Sequence, residues 1–187
     1  MKLLVLRHAK TDENIVAGWS GQPLLPEGVA HAQKILHTFL NKYPELKIKQ
    51  IISSDLPRCA QTADIMAKEL DVPLMLNPGF RGFNIGDDAG STMDEFWQAH
   101  INHSLKGLAP HESLEGGETP SDFYRRVTQA FLDLTTNVDT SGDAILVTHR
   151  SVLEVLYTLV NQIPWSNALH YYKMEYLILD LTKDSKK

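Results

Sequence analysis

The chain has 187 residues, 43% hydrophobic and 22% charged, enough apolar material to bury one sizeable core and too little charge to stay disordered. Its net charge of -5 and pI near 5.9 argue against a non-specific nucleic-acid binder, which is usually basic. The single cysteine, Cys59, excludes an intrachain disulfide and suits a reducing compartment. Met1–Lys10, MKLLVLRHAK, has an apolar run of only four residues before Arg7, unlike a signal peptide, and no segment reaches the length of a membrane span. The expectation is one domain over residues 1–187, cytoplasmic, with no nucleic-acid or membrane partner.

In chain order, Leu3–Leu6 is a continuous apolar run, as in a strand buried on both faces. Glu27–Leu40 has helical spacing of apolar residues. Ile48–Ser53 predicts a second strand, and Pro57 opens a helix to about Leu70. From about Pro73 to Pro120 the chain is glycine-rich with little periodicity, an irregular, lid-like excursion. Asp122–Leu134 is again helical. Ala144–Val147 predicts a third strand, followed by a helix over Ser151–Val160 whose apolar residues Leu153–Leu159 read as ordinary core. Tyr176–Leu181 predicts a last strand at a sheet edge.

Strands alternating with helices imply βαβ units: an α/β three-layer sandwich whose mainly parallel central sheet is flanked by helices. Ligands of such sheets bind beyond the carboxyl ends of the strands. Arg7-His8, Ser53-Ser54 and Thr148-His149 end the three inner strands, so all should face one crevice. Arginine supplies permanent, bidentate donors for a phosphate dianion. Arg7 stands at a strand end, and Arg58 stands just inside the helix that Pro57 opens, where the dipole also favours an anion. A neutral His8 can attack phosphorus, and a protonated His149 can hold the charge that builds on the transferring group. Phosphoryl transfer is mostly positioning plus electrostatics, so the set needs no metal or cofactor, only a proton donor for the leaving oxygen.

Five segments then resemble, in order, the motifs of the histidine phosphatase superfamily, the phosphoglycerate mutase-like proteins. LRHAKTDEN (Leu6–Asn14) resembles LRHGxTxxN. GQPLLPEGVAHAQ (Gly21–Gln33) and SSDLPRCAQTA (Ser53–Ala63) resemble the family's D-x-P-L-T-x-x-G-x-x-Q-A and S-S-x-L-x-R-x-x-Q-T-A. GGETPSDFYRRV (Gly116–Val127) resembles G-G-E-S and its helix, and ILVTHR (Ile145–Arg150) the closing V-S-H-G. The resemblance implies a phosphomonoester hydrolase with His8 as nucleophile and His149 as the second histidine. It implies that Arg7 and Arg58 bind phosphate, and that Asn14, Gly21 and Glu118 belong to the substrate pocket, Glu118 as its support. The substrate class implied is a phosphorylated small molecule, with a phosphoprotein as the other option, and the assembly a monomer or homodimer.

The departures define the open questions. The family's general acid is usually a glutamate four residues before a glycine; counting back from Gly86 lands on Gly82. Asp87 and Asp88, just beyond, are the candidate general acids, each also a good turn residue. Ala9 and Arg150 replace glycines of the motifs. Arg150 and Arg81 either add positive charge for a highly anionic substrate or are solvated. His100 and His103, at i, i+3, lack a third ligand, so no metal is expected. Phe96 and Trp97 either wall the substrate or anchor the excursion. Three alternatives stand beside the phosphatase: a phosphomutase, a catalytically impaired phospholigand-binding protein, and a phosphohistidine-protein phosphatase.

Overall fold

The computed structural model describes residues 1–100, 108–137, 141–165 and 174–181. Five strands, β1 (Lys2–Arg7), β2 (Ile48–Ser53), β3 (Leu74–Leu76), β4 (Asp143–Thr148) and β5 (Tyr176–Asp180), form one sheet in the order β3-β2-β4-β1-β5. Strand β4 pairs in parallel with β1 and β2, β3 pairs in parallel with β2, and only β5 runs antiparallel, against β1. The inner strands and the edge strand β5 agree with the sequence pattern.

The continuous apolar runs have the expected cause: both faces of the sheet are covered. Successive side chains of a strand point to opposite faces. Thus Leu3 and Val5 pack with Phe123 and Val127 of α4 (Pro120–Asn137) and with Val152, Leu153 and Leu156 of α5 (Arg150–Val160). Leu4 and Leu6 pack instead with Leu36 and Phe39 of α1 (Pro26–Lys42) and with Ala63 and Met66 of α2 (Pro57–Leu70). Helix pairs on opposite faces of a mainly parallel sheet make the three layers. Proline opens α1 and α2, where its missing N–H is of no consequence and its φ is already helical.

The glycine-rich excursion is more structured than its sequence pattern predicts. It contains β3, two 3-10 turns at Pro78–Phe80 and Gly86–Asp88, and the helix α3 (Met93–Ala99). Three or seven residues are too few for periodicity to register. The readable signal for α3 was its capping box: Thr92 Oγ1 accepts from Glu95 N, and Glu95 Oε2 accepts from Thr92 N. Phe96 anchors the excursion, buried with Val16 and Ile85, while Trp97 is exposed.

Gly86 is the tightest point of the excursion. Its φ is +68°, and a Cβ there would lie 1.8 Å from the carbonyl oxygen of Glu115. Neither the backbone conformation nor the space admits a side chain. Gly86→Ala is expected to destabilise the protein by about 3 kcal/mol or more, strain plus overlap; urea unfolding midpoints for the two proteins measure this.

Candidate active site

Parallel register brings the carboxyl ends of three strands together. Arg7 lies opposite Thr148, and Ser53 opposite Val147, so His8, Ser54 and His149 follow at one edge of the sheet. His8 N donates to Thr148 O at 2.9 Å, and Ser54 N to Val147 O at 3.0 Å, extending the ladder one step into the site. Arg58 is the second residue of α2, and His149 immediately precedes α5. Two helix N-termini therefore point toward the histidine pair, whose ring centroids are 5.4 Å apart. Arg7, His8, Arg58, Gly82, His149 and Glu154 all line one cavity of about 450 Å³.

The hydrogen bonds assign the histidine tautomers. His8 Nδ1 lies 2.8 Å from Ala9 O. A carbonyl only accepts, so Nδ1 carries the proton and Nε2 keeps a free lone pair. Burial pushes the His8 pKa down from 6.5 to about 3, against the raising effect of the Ala9 bond, and the positive charges of Arg58, Arg7 and Arg150 push the same way. This is a neutral imidazole, the form that can attack phosphorus.

His149, whose role in holding charge depends on a proton, is neutral as well. Its Nδ1 lies 3.3 Å from Arg58 Nη2. A guanidinium only donates, so this nitrogen accepts and the proton rests on Nε2, 3.0 Å from Ser54 Oγ. Burial first, then the Arg58 charge, holds its pKa well below 6.5. His149 is thus a neutral imidazole whose Nε2–H is a donor.

Arg58 is 1% exposed. Its Nη2 donates to Gly18 O at 2.7 Å and its Nη1 to Ser20 O at 3.4 Å, while Nε is buried with no partner. Among the described residues no carboxylate neutralises it. Asp55, just before α2, is held by Arg81 instead, through Nε at 2.7 Å and Nη2 at 2.5 Å. Arg81 is thus an internal clamp, also lying over the Trp19 ring, and does not add free charge to the site. Arg7 and Arg150 share one exposed carboxylate, Glu175, at 3.5 and 3.6 Å. Arg150 also lines the 450 Å³ cavity. Arg7 and His8, with Glu13 and Glu175, also border a second cavity of about 280 Å³.

The remaining sequence-predicted residues lie elsewhere. Glu118 is not among the lining residues. Its carboxylate pairs with Arg126 at 2.7 Å and accepts from Asn84 N at 2.8 Å, which makes it a support for the loop around Gly82 rather than a ligand group. Asn14 is exposed, with its carbonyl accepting from Met93 N, and Gly21 is exposed with open space around its Cα; neither lines the cavity. Asp87 and Asp88 do not line it either. The Asp87 carboxylate lies against Gly116, where a Cβ would come within 2.6 Å of it. Asp88 pairs with His100 at 2.8 Å. The 3-10 turn at Gly86–Asp88 directs both carboxylates away from the histidines. His103 lies outside the described residues. Among those described, no group of three or more His, Cys, Asp or Glu is placed to hold a metal ion, and no helix is long and apolar enough to cross a membrane. Cys59 is fully buried, its thiol donating to Thr148 O at 3.4 Å and pushed up to about 12 by burial, so it packs and does not react.

The reading from sequence missed Glu154, which is 6% exposed and lines the cavity. Its signal was present: a carboxylate inside the apolar run VLEVL, where a charge is seldom buried without reason.

With three arginines and two neutral histidines lining one cavity, the family is decided by the match to its model. The model of the histidine phosphatase superfamily (branch 1) matches residues 3–187. The chain belongs to that superfamily. It is 25% identical to an adenosylcobalamin/alpha-ribazole phosphatase of Salmonella typhimurium, over 91% of this chain and 85% of the relative. A broad-specificity phosphatase of Saccharomyces cerevisiae is 24% identical over 100% of this chain and 82% of the relative. The fold is shared with Bacillus stearothermophilus YhfR, with a TM-score of 0.76 and 23% identity over 96% of this chain and 90% of that one.

The buried neutral histidines also make stability depend on pH. Below 6.5 the unfolded chain takes up protons at these positions and the native site does not until about pH 3 for His8, so stability falls as the pH falls through that window. For His8 the loss between pH 7 and pH 5 is about 2 kcal/mol. Urea unfolding at the two pH values is expected to show a smaller loss, by about that amount, in His8→Asn than in the wild type.

Proposed function

We propose that this superfamily member hydrolyses phosphate monoesters through a phosphohistidine on His8. The observation that carries this reading is the His8 ring itself. With Nδ1–H tied to Ala9 O and its charged form disfavoured, Nε2 presents a lone pair into a cavity that also holds Arg58, Arg7 and His149. A phosphate dianion entering there meets the free Nε–H of Arg58 and replaces the anion this buried guanidinium lacks. The same anion reverses the electrostatic reason for His149 to stay neutral, so its donors can hold the equatorial oxygens as charge develops. Attack by Nε2 places the phosphoryl group on His8, and water then releases it as inorganic phosphate. Every group named belongs to the chain, so no metal or cofactor enters the cycle.

The substrate we infer is a phosphorylated small molecule, since about 450 Å³ falls within the range of small-ligand sites. Arg150 at the same cavity favours substrates with a further negative charge beside the ester.

The test is turnover of p-nitrophenyl phosphate from pH 4 to 9 with a chelator present, together with rapid-quench trapping of an acid-labile, base-stable phosphoprotein. Activity is expected to survive chelation, and His8→Ala to lose both the phosphoprotein and at least roughly 10³-fold in kcat/KM. A His8→Ala protein that still turns over, or a wild type that binds vanadate without turnover, would sink the proposal.

A further inference from the structure

The two ring nitrogens of His149 have different surroundings. Nδ1 is the nitrogen beside Arg58 Nη2, and a Cβ at Gly82 would come within 3.4 Å of it. Arg58 and Gly82 both line the 450 Å³ cavity, so Nδ1 is on the cavity side. Nε2 lies instead 3.0 Å from Ser54 Oγ and 3.3 Å from Cys59 Sγ. Both of those residues are fully buried, and neither lines the cavity.

The direction of the hydrogen bonds around Ser54 and Cys59 follows from their backbone ends. The carbonyl of Thr148 only accepts, so the Cys59 thiol, 3.4 Å from it, donates there. Burial pushes that thiol up to about 12, so it keeps the proton it donates. Its sulfur is left as an acceptor, and the Ser54 side chain is hydrogen-bonded to it. The amide of Leu56 donates to Ser54 Oγ at 3.4 Å. A hydroxyl whose proton goes to sulfur offers His149 only a lone pair. Nε2–H therefore faces two acceptors, and the chain from His149 through Ser54 and Cys59 to Thr148 O has every proton pointing one way. The same carbonyl accepts from the amide of His8, so the chain ends on the backbone that also holds the nucleophile.

This arrangement has a consequence for an incoming anion. A neutral His149 presents the Nδ1 lone pair to the cavity, and a lone pair repels a phosphate oxygen. A proton on Nδ1 turns that repulsion into a charge-assisted hydrogen bond, and the imidazolium so formed still needs an acceptor for its Nε2–H. In the free protein burial opposes this proton first. The charges of Arg58 on α2, His8 after β1, Arg126 on α4 and Arg7 on β1 oppose it further. Cys59, also on α2, stays neutral, and α5 brings Arg150 and Glu154 to the same cavity.

We propose that Ser54 and Cys59 are positioning residues that hold His149 with Nδ1 toward the cavity and accept from its Nε2–H, so that binding a phosphate dianion takes up one proton from solvent on Nδ1. The proposal rests on the reading of this cavity as a phosphate site, and the covalent step on His8 is separate from it.

The probe is phenylphosphonate, whose dianion carries no proton and which has no ester bond to hydrolyse. Calorimetry at pH 8.5 in buffers of different ionisation enthalpy counts the protons, and 15N spectra of the histidine rings locate them. The wild type is expected to take up about one proton and to lose roughly tenfold in affinity from pH 8 to pH 9. Its His149 ring should pass from protonation on Nε2 alone to protonation on both nitrogens. In Ser54→Ala and Cys59→Ala the bound ring is expected to lose its Nδ1 proton at a pH lower by about one unit or more. Affinity should fall by at least about tenfold with it. Cys59→Ser, whose hydroxyl also donates to a carbonyl and accepts, should recover most of both. A packing role alone weakens binding without moving the titration of the ring, and that result would overturn the proposal. So would a Cys59→Ser protein that behaves as Cys59→Ala, or a wild type that binds without proton uptake, a measurement that needs no variant. A wild type that does not bind phenylphosphonate refutes the phosphate site and this proposal together. Failure of the phosphohistidine step alone is distinguished as proton-coupled binding with no trapped phosphoprotein.

Discussion

Arg58 carries a permanent charge at 1% exposure with no carboxylate beside it among the described residues. An isolated buried cation is strongly disfavoured unless dipoles or an anion compensate it. Here the compensation is partial: carbonyls of Gly18 and Ser20, the acceptor nitrogen of His149, and one Nε–H left without a partner. The same charge adds to burial in keeping both histidines neutral, and it sets the proton of His149 on Nε2.

Holding that arrangement requires a rigid wall on the excursion side, and ion pairs between the excursion and its neighbours supply it. Arg126 donates to the carbonyls of Gly79, Arg81 and Gly82 while paired to Glu118. Trp19 Nε1 donates to Gly82 O at 2.8 Å, and Arg81 lies over the Trp19 ring while bound to Asp55. Phe80 is fully buried, and its carbonyl accepts from Thr148 Oγ1 at 2.7 Å. Each of these charges is committed to fixing backbone near Gly82. That is the physical reason they are poor candidates for chemistry, although the motifs containing them mark the site.

Much of the fold was legible in the sequence. The runs Leu3–Leu6, Ile48–Ser53 and Ala144–Val147 are strands because both sheet faces are covered, and apolar residues without alternation say so. Proline marked the start of α2, and apolar spacing placed the start of α1 within a residue. That Arg7, His8, Arg58 and His149 meet at one cavity was legible for a topological reason: parallel strands must place their carboxyl ends at one edge. The short elements β3 and α3 were not, because a strand of three residues or a helix of seven carries too few periods.

What only the tertiary structure decided is which charged side chain meets which. Asp55 could have served Arg58, its near neighbour on α2, and serves Arg81 instead; Asp87 and Asp88 follow the glycine of the motif and are turned away by a 3-10 turn; Glu154 lies in an apolar run and opens into the cavity. Hydrophobic pattern and backbone geometry are local properties of the chain, so a sequence determines them directly. Protonation state and partner choice depend on burial and on polar groups brought close from residues 38 to 91 positions away, as Gly18, Ser20, Arg58 and His149 are here, and those distances exist only in the folded molecule.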